Sequence, residues 1–388
     1  MKVLALGGSG GMGRYAVQSL YKHSKIKKIY VADINADAAK DFSSNFSDKV
    51  KGIGLDVTKH ESLLEVMSQV DIVVNTTGPF FKFAEPILSA SIETNCHYFD
   101  ICDDWEPTEK MFLLDDKARN AGITAILGLG ASPGLTNILA YIAMLELDDI
   151  SKVYTGWDIS SAKPEPISSQ KGVNAAMVHG IEQMIGKVKV FKDGKYQMER
   201  PLTEVKIHYP ELGEFKANIF GHPEAISFPH HYPNINESLN IMHGEERGFI
   251  TTLKFIRFLI EMNILTKNMA ARILTWMEGS TTPKQKIEKL QLPPVFGYAE
   301  GNKNGQKISV GVTIDGDIMD LSMGEATSFP LACGVKMLID GLIDSSGVHA
   351  PESGIIDPEL FMNYLSKEIS NGVTVSYTHL TLPTKRIV

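Results

Sequence analysis

The sequence predicts an α/β protein in which a doubly wound parallel sheet is joined to a second domain with a mixed, mostly antiparallel sheet. In the first 130 residues, short apolar runs alternate with helical periodicity, which is typical of parallel strands connected by helices. After residue 150, several strand patterns, among them Ala225 to Phe228, follow one another without intervening helices, which indicates antiparallel pairing. A chain of 388 residues is also long for one hydrophobic core, so two domains are expected.

A glycine-rich loop follows the first predicted strand. The apolar run Val3 to Leu6 leads into Gly8-Ser9-Gly10-Gly11-Met12-Gly13, which fits the pattern G-x-G-x-x-G, and a helical pattern follows. In this arrangement the first glycine permits a tight turn, the second lets a pyrophosphate approach the backbone, and the third lets the helix pack on the strand. The phosphates would lie on N–H groups at the helix N-terminus. We therefore predict that this loop binds a dinucleotide.

Acidic residues end the next two predicted strands. Asp33 ends the run Lys28 to Ala32, about 20 residues after the loop, where a carboxylate binds the ribose 2′-OH of the cofactor. Because a carboxylate there would repel a 2′-phosphate, NAD is favoured, with NADP as the alternative because Arg14 could reach a phosphate. Asp56 ends the third strand and either faces the adenine or caps the helix that follows.

The loop after the fourth predicted strand is expected to border the nicotinamide. The strand Val70 to Asn75 is followed by Thr77-Gly78-Pro79-Phe80, and ligands of open parallel sheets bind beyond the carboxyl ends of the strands. Gly78 permits close approach of the backbone and Pro79 stiffens the turn. Phe80 would pack against the nicotinamide ring, although aromatic residues more often lie in the core.

An acidic run follows the fifth predicted strand, Cys96 to Ile101. Crowded carboxylates raise one another's pKa, which makes Asp103 and Asp104 candidates for a base that works near neutral pH. The alternative is a solvated loop that caps the next helix. His179, on a predicted helix of the second domain, is a third catalytic candidate, although a lone histidine more often has a structural role.

Composition and charge exclude several classes of protein. The net charge of −8 argues against a general nucleic-acid binder, and no apolar run is long enough to span a membrane. We expect no signal peptide, because Met1 enters a strand at once. The three cysteines lack C-x-x-C spacing, and His222, His230 and His231 match no metal-ligand pattern, so neither a metal site nor a disulfide framework is predicted. A reducing cytoplasm fits this composition.

Further motifs lie beyond the glycine loop. They are N-T-T-G-P-F at Asn75 to Phe80, H-Y-F-D-I at His97 to Ile101, G-A-S-P-G-L-T-N at Gly130 to Asn137, and G-V-H-A-P-E at Gly347 to Glu352. Together they make the chain resemble the saccharopine dehydrogenase family, which includes lysine 6-dehydrogenases and carboxynorspermidine dehydrogenases. The resemblance covers nearly all of residues 1–372.

The resemblance implies a domain plan. It comprises a Rossmann domain at residues 1–130, a substrate and dimerisation domain at 131–322, and C-terminal helices at 323–372 that return to the first domain. Residues 375–388 show no clear periodicity, and we expect them to be an appended tail outside the fold. A homodimer is expected from the family and from the frequency of two-fold oligomers.

The resemblance also implies a function: a nicotinamide-dependent oxidoreductase that acts on a carbon–nitrogen bond of an amino acid or polyamine through an imine. Ser132, Pro133 and Gly134 would line the seam between cofactor and substrate. Saccharopine reductases tend to carry an acid where Ser132 stands, so an amine other than saccharopine is favoured. An acidic site would suit an ammonium group, and we place Asp100 and Cys102 among the substrate contacts.

Two questions stay open at the level of the sequence. A substrate carboxylate needs a cationic anchor, for which Arg247, Arg200 and Lys163 are candidates. No unambiguous general acid or base is evident, so the alternative function is a nucleotide-binding regulator or scaffold without turnover.

Overall fold

The computed structural model describes residues 1–159, 175–244, 247–280, 291–316, 321–369 and 372–381. The first sheet contains seven parallel strands from this part of the chain, in the order β15-β6-β5-β4-β1-β2-β3. They are β1 (Lys2–Leu6), β2 (Lys28–Asp33), β3 (Val50–Gly54), β4 (Ile72–Asn75), β5 (His97–Asp100), β6 (Thr124–Ile126) and β15 (Gly347–His349). The predicted doubly wound parallel sheet is therefore confirmed.

Helices cover both faces of this sheet, as its apolar strands require. They are α1 (Gly13–Tyr21), α2 (Ala36–Ser43), α3 (His60–Met67), α4 (Phe80–Glu93), α5 (Trp105–Phe112) and α6 (Asp115–Asn120). Strand order reverses between β1 and β4, and the glycine loop follows β1. In a doubly wound fold this reversal is the place where a ligand binds.

The second sheet is mixed, as predicted. Its main path runs β10-β11-β12-β7-β13-β14-β16, with the hairpin β8-β9 attached to β12, and only the β12–β7 pair of this path is parallel. Its strands are β7 (Asp149–Asp158), β8 (Val188–Lys192), β9 (Lys195–Glu199), β10 (Glu204–Tyr209), β11 (Gly213–Ile219), β12 (Glu237–His243), β13 (Val295–Lys303), β14 (Gln306–Gly316) and β16 (Val373–Thr381).

The helices associated with the second sheet include the one that opens at the domain seam. They are α7 (Leu135–Leu145), α8 (Ala175–Gln183), α9 (Glu224–His231), α10 (Arg247–Glu261) and α11 (Lys267–Ser280). Helix α7 packs directly on β13, where a Cβ on Gly297 would lie 2.0 Å from the backbone nitrogen of Ala140. Glycine at this position therefore lets the helix lie against the strand and fixes its N-terminus at the seam.

The last two helices, α12 (Met323–Ile339) and α13 (Pro358–Glu368), pack on the first domain. Ser322 and Glu325 form a capping box at the start of α12. The buried ammonium of Lys336 contacts the Glu368 carboxylate and donates to Oγ of Ser19 on α1 at 2.8 Å. This ion pair ties α12, α13 and α1 together.

Two expectations about local structure are wrong. Residues 225–228, predicted as a strand, lie in helix α9, because Pro223 and Glu224 start a helix and four apolar residues do not distinguish the two structures. Residues 375–381, expected outside the fold, belong to β16 and pair with β14 at the edge of the second sheet. Threonine, valine and tyrosine favour such a strand. Residues 382–388 lie outside the described residues.

No helix in the described ranges is both long enough and apolar enough to cross a membrane.

Candidate active site

The glycine loop has the shape that a pyrophosphate needs. A Cβ on Gly13 would lie 2.3 Å from the carbonyl oxygen of Gly7, so the helix starts where only glycine fits. A Cβ on Gly11 would meet no atom within 4 Å, so this side of the loop is open to a ligand. Met12, the N-cap of α1, makes no side-chain capping bond, which leaves backbone N–H groups available for phosphate. The loop therefore fits a dinucleotide.

The structure brings two predicted cofactor residues into contact. Ser9 Oγ donates a hydrogen bond of 2.6 Å to Oδ2 of Asp33 at the end of β2, while the backbone N–H of Asn35 donates to Oδ1 at 3.0 Å. Asp56 instead accepts from the backbone and hydroxyl of Thr58, at 3.0 and 2.7 Å. Asp56 thus stabilises the turn before α3 but does not cap that helix, whose N-cap is Lys59, and the adenine contact stays a prediction.

A hydrogen bond fixes the start of the loop that is predicted to border the nicotinamide. The backbone N–H of Thr77 donates to Oδ1 of Asn75 at 3.0 Å, and a Cβ on Gly78 would meet no atom within 4 Å. Pro79 is the N-cap of α4. Phe80 is 8% exposed and packs in the core, whereas Phe81 is 43% exposed. The loop is therefore open at Gly78. Phe80 lies in the core, which is the alternative to a position facing the cofactor.

Asp100 and Cys102 are fully buried in the first domain. The Asp100 carboxylate accepts from the Tyr98 hydroxyl at 2.8 Å and from the backbone N–H groups of Gly128 and Cys102 at 2.6 and 3.1 Å. Burial raises the pKa of Asp100 to about 6 and raises that of the Cys102 thiol. These two residues hold the loops after β5 and β6 together and are not exposed to a ligand.

The three predicted catalytic residues form one cluster between the two domains. Nε2 of His179 lies 3.0 Å from Oδ1 of Asp103 and 3.4 Å from Oδ1 of Asp104. Gln183, one turn along α8, donates to the Asp103 carbonyl at 3.1 Å. The backbone N–H of Phe81 at the start of α4 faces the Asp104 carboxylate and acts to lower its pKa. The cluster therefore lies between the second domain and the start of α4, which follows the loop after β4.

The ion pair separates the pKa values of the three groups. Burial opposes the charged form of His179, but the hydrogen bond and charge of Asp103 outweigh it and raise the His179 pKa to about 9. Burial likewise acts to raise the pKa of Asp103, yet its hydrogen bond to His179 produces a net lowering. Burial, followed by the charge of Asp103, raises the pKa of Asp104 to about 6. Asp104 is therefore the member of the cluster that titrates nearest neutrality.

The same three side chains satisfy the spacing of a metal site, since one ligand atom from each lies within 4.8 Å of the others. The ion pair between His179 and the two carboxylates already explains why these three side chains lie so close together.

A second polar cluster, which the sequence reasoning missed, surrounds Ser132. Its Oγ lies 3.2 Å from Nδ1 of His222 and donates to Oε1 of Glu224 at 2.7 Å. Nδ2 of Asn240 donates to both Ser132 Oγ, at 3.1 Å, and Glu224 Oε1, at 3.0 Å. The sequence gives no signal for Glu224, which directly precedes the run predicted as a strand, and it presents His222 only as a possible metal ligand.

Pro133 and Gly134, the neighbours of Ser132, are buried. Gly134 has a φ of +124°, and its Cβ would lie 2.1 Å from the carbonyl oxygen of Gly130, so only glycine is accommodated. Its backbone N–H donates to Oδ1 of Asn137 at 2.7 Å. These residues shape the loop that presents Ser132 at the seam.

The cationic anchors are only partly described. Arg200 is exposed and pairs with Glu261. The side chain of Arg247 and the whole of Lys163 lie outside the described residues.

The parallel sheet, the open glycine loop at its switch point and the Ser9–Asp33 contact define a dinucleotide-binding α/β protein. Residues 3–126 match the sequence model of the saccharopine dehydrogenase NADP binding domain. The resemblance to the saccharopine dehydrogenase family that the motifs predict is confirmed, and the matched domain supports NAD(P) as the cofactor.

Relatives match over different shares of the chain. Carboxyaminopropylagmatine dehydrogenase of Synechocystis is 22% identical, over 94% of this chain and 97% of that protein. Carboxynorspermidine synthase of Vibrio cholerae is 22% identical, over 66% of this chain and 62% of that protein. The solved saccharopine dehydrogenase (L-Glu forming) from Saccharomyces cerevisiae has the same fold, with a TM-score of 0.66 and 16% identity over 97% of this chain.

Proposed function

We propose that this protein catalyses NAD(P)-dependent oxidation or formation of a carbon–nitrogen bond in an amino acid or polyamine, through an imine. The observation that carries the proposal is the position of Asp104. Its carboxylate faces the backbone N–H of Phe81, in the first turn of α4 directly after the loop that follows β4, and its neighbour Asp103 pairs with His179 of the second domain. An acidic cluster thus lies at the carboxyl edge of the sheet, next to the loop expected to border the nicotinamide.

The charge of the cluster favours an amine. Two carboxylates face one histidine, and the raised pKa of His179 keeps it protonated at neutral pH. The cluster therefore carries one net negative charge when Asp104 is ionised, which attracts a substrate ammonium group. The relatives named for carboxyaminopropylagmatine and carboxynorspermidine are consistent with such a substrate.

Asp104 has the properties of a base for that ammonium. Its pKa of about 6 lets it be ionised at neutral pH and still accept a proton. Its Oδ2 is buried and has no hydrogen-bond partner among the described residues, whereas Oδ1 lies against His179. Oδ2 can therefore take the proton that an ammonium loses when it becomes the reactive amine.

The cofactor supplies the hydride chemistry when it is bound. The residues that would hold it are the glycine loop for the pyrophosphate, Ser9 and Asp33 for the ribose, and the segment Thr77 to Pro79 for the nicotinamide. We propose NAD as the preferred form, because a 2′-phosphate would meet the carboxylate of Asp33.

The test is an absorbance assay of the nicotinamide with purified full-length protein. Lysine, saccharopine, other diamino acids and polyamines are assayed with NAD and with NADP. The reverse reaction pairs reduced cofactor with an amine and a keto acid or aldehyde. Turnover of one amine alone identifies an oxidative deaminase, and a requirement for amine plus carbonyl identifies a condensing reductase. Cofactor binding without turnover of any substrate would contradict the proposal and support a regulator.

A matched pair of variants tests the site. Asp104→Asn removes the base, and we expect turnover to fall by about 10²-fold or more, the usual contribution of such a group. Glu106→Gln changes an exposed carboxylate two residues away and should leave turnover unchanged. Equal turnover in the two variants would remove Asp104 from the mechanism.

A further inference from the structure

Three polar side chains form a continuous chain from the domain seam into the second domain. The Ser132 hydroxyl contacts Nδ1 of His222 on one side, at 3.2 Å, and Oε1 of Glu224 on the other, at 2.7 Å. Glu224 is fully buried, and its Oε2 has no hydrogen-bond partner among the described residues. An ionised carboxylate with an unpaired buried oxygen is costly, so this group gains by taking up a proton.

The surroundings of His222 keep its ring neutral. The ring stacks on Trp157, with centroids 5.5 Å apart, and burial lowers its pKa to about 4. The charged groups that face it are Asp103, which raises this pKa, and His179, which lowers it. Its Nε2 makes no hydrogen bond to any residue in the described ranges, and is the ring atom available to a ligand.

The surroundings of Glu224 allow it to change its protonation state near neutral pH. Burial raises its pKa to about 7, against hydrogen bonds from Ser132 and Thr136. Asn240 donates to the same oxygen at 3.0 Å. The charged group that faces it is Glu352, another buried carboxylate, which raises the pKa further.

We propose that Glu224, Ser132 and His222 form a proton relay, in which Glu224 is a positioning residue that sets which nitrogen of His222 carries the proton. When Glu224 is ionised, Ser132 donates to it and accepts a hydrogen bond from Nδ1–H of His222. When Glu224 is protonated, it donates to Ser132, which donates to Nδ1, so that the proton of His222 is on Nε2. This inference deepens the proposed function and rests on it.

The relay moves one proton without charging the histidine. In the oxidative direction, water adds to the carbon of the protonated substrate C=N bond, and the π electron pair of that bond moves to the nitrogen, which becomes a neutral amine. Its proton passes to Nε2 of His222, the Nδ1 proton passes to Ser132 Oγ, and the hydroxyl proton passes to Oε1 of Glu224. The oxygen of the water bonds to the carbon. In the reductive direction the same three transfers run backwards, and the proton leaves with the hydroxyl group as water.

The first test reads the tautomer of His222 and needs no substrate. Nitrogen NMR of full-length protein labelled at histidine would be recorded from about pH 5 to about pH 9, where free histidine would titrate. We expect wild-type His222 to change from the Nε2–H to the Nδ1–H tautomer with a midpoint near 7, the pKa of Glu224. Because its own pKa is about 4, protonation of the ring does not obscure this change.

Variants separate the relay from a structural role. Glu224→Gln, and Ser132→Ala if the first variant folds poorly, should each leave one tautomer across the range. Glu352→Gln removes the other buried carboxylate and should keep the change, with a lower midpoint. A wild-type tautomer that does not depend on pH, or a change that survives Glu224→Gln, overturns the proposal.

The second test is kinetic. With the substrate found by the amine assay, Glu224→Gln should lower kcat by about 10²-fold with little change in KM, the size expected for lost acid–base catalysis. Glu352→Gln should keep kcat within a few-fold. Wild-type kcat in Glu224→Gln overturns the relay while leaving the proposed function intact. Wild-type protein that turns over no substrate contradicts the proposed function, and the NMR result then still decides whether the relay exists.

Discussion

Ser9 and Asp33 join the two halves of the dinucleotide site, because the serine hydroxyl of the phosphate loop donates to the carboxylate at the end of β2. The contact orients the Asp33 carboxylate, so that the ribose we propose to bind there would meet an acceptor already held in place. Serine at the second position of the loop thus has a specific role, whereas the G-x-G-x-x-G pattern accepts any residue there.

Asp33→Ala should weaken NAD binding and reduce the discrimination against NADP. The variant removes the acceptor for the ribose hydroxyl and the charge that repels a 2′-phosphate. A hydrogen bond to a charged group is worth about 1.5–3 kcal/mol, which corresponds to a loss of roughly 10- to 100-fold in affinity. Fluorescence titration with both reduced cofactors measures the change, and Asp37→Asn, an exposed acid in α2, is the control. Unchanged affinities for both cofactors would exclude the ribose contact.

Gly13→Ala should destabilise the first domain, while Gly11→Ala should not. The added Cβ at position 13 would lie 2.3 Å from the Gly7 carbonyl oxygen, whereas at position 11 it would meet open space. We expect a cost of about 1–3 kcal/mol for the overpacked variant. Thermal unfolding of the two variants beside the wild type measures this difference. Equal melting temperatures for all three would mean that the loop relaxes around the new methyl group.

Asp103→Asn should lower the pKa of His179 from about 9. The hydrogen bond and charge of Asp103 raise this pKa, whereas burial, which lowers it, and the charge of Asp104, which raises it, both remain in the variant. Histidine NMR over the pH range reports the titration directly, and Glu182→Gln, which removes a weaker charge near the same ring, is the control. A His179 that stays protonated above pH 8 in Asp103→Asn would show that another group supports the charge.

Glu352→Gln should be more stable than the wild type at high pH and not at low pH. Burial raises the pKa of Glu352 from 4.5 to about 7, so the folded state holds a proton that the unfolded state releases above 4.5. Its contribution to stability is therefore present below pH 4.5 and lost as the pH rises through 7. At 1.36 kcal/mol for each pKa unit, the loss approaches about 3 kcal/mol.

Urea unfolding of this variant and the wild type at about pH 5 and about pH 8 checks the sign of this pH dependence, because the interval includes the raised pKa of Glu352. Buried neutral histidines, such as His222 and His231, act in the opposite sense below pH 6.5. They are common to both proteins, so the difference between the two isolates Glu352. A difference in stability that is the same at both pH values would contradict the prediction.

The parts of the site that could be predicted are those encoded in short stretches of sequence. The glycine loop and Asp33 lie within one strand–helix–strand unit, and their roles follow from spacing along the chain. Asp103 and His179, 76 residues apart, could be named one by one from their chemistry, but their contact depends on how two domains meet.

Ser132 and Glu224 show why the rest could not be predicted. They are 92 residues apart, and the helix that carries Glu224 is a short apolar segment whose periodicity fits a strand equally well. Its contact with the cleft depends on the second sheet, which sets where α9 begins. Phe80 and Phe81 illustrate the same limit, since one lies in the core and the other is exposed, and the sequence alone does not distinguish them.

Within the described chain, the backbone passes between the two sheets three times: after β6, between β14 and α12, and between α13 and β16. Two domains joined by a single connection can rotate freely relative to each other, whereas domains joined by three connections have little freedom to rotate or slide. We therefore expect any movement between the two sheets to be a small hinge movement. Asp103 would then keep its position relative to His179, so the alignment of the proposed catalytic groups would be set by the path of the chain.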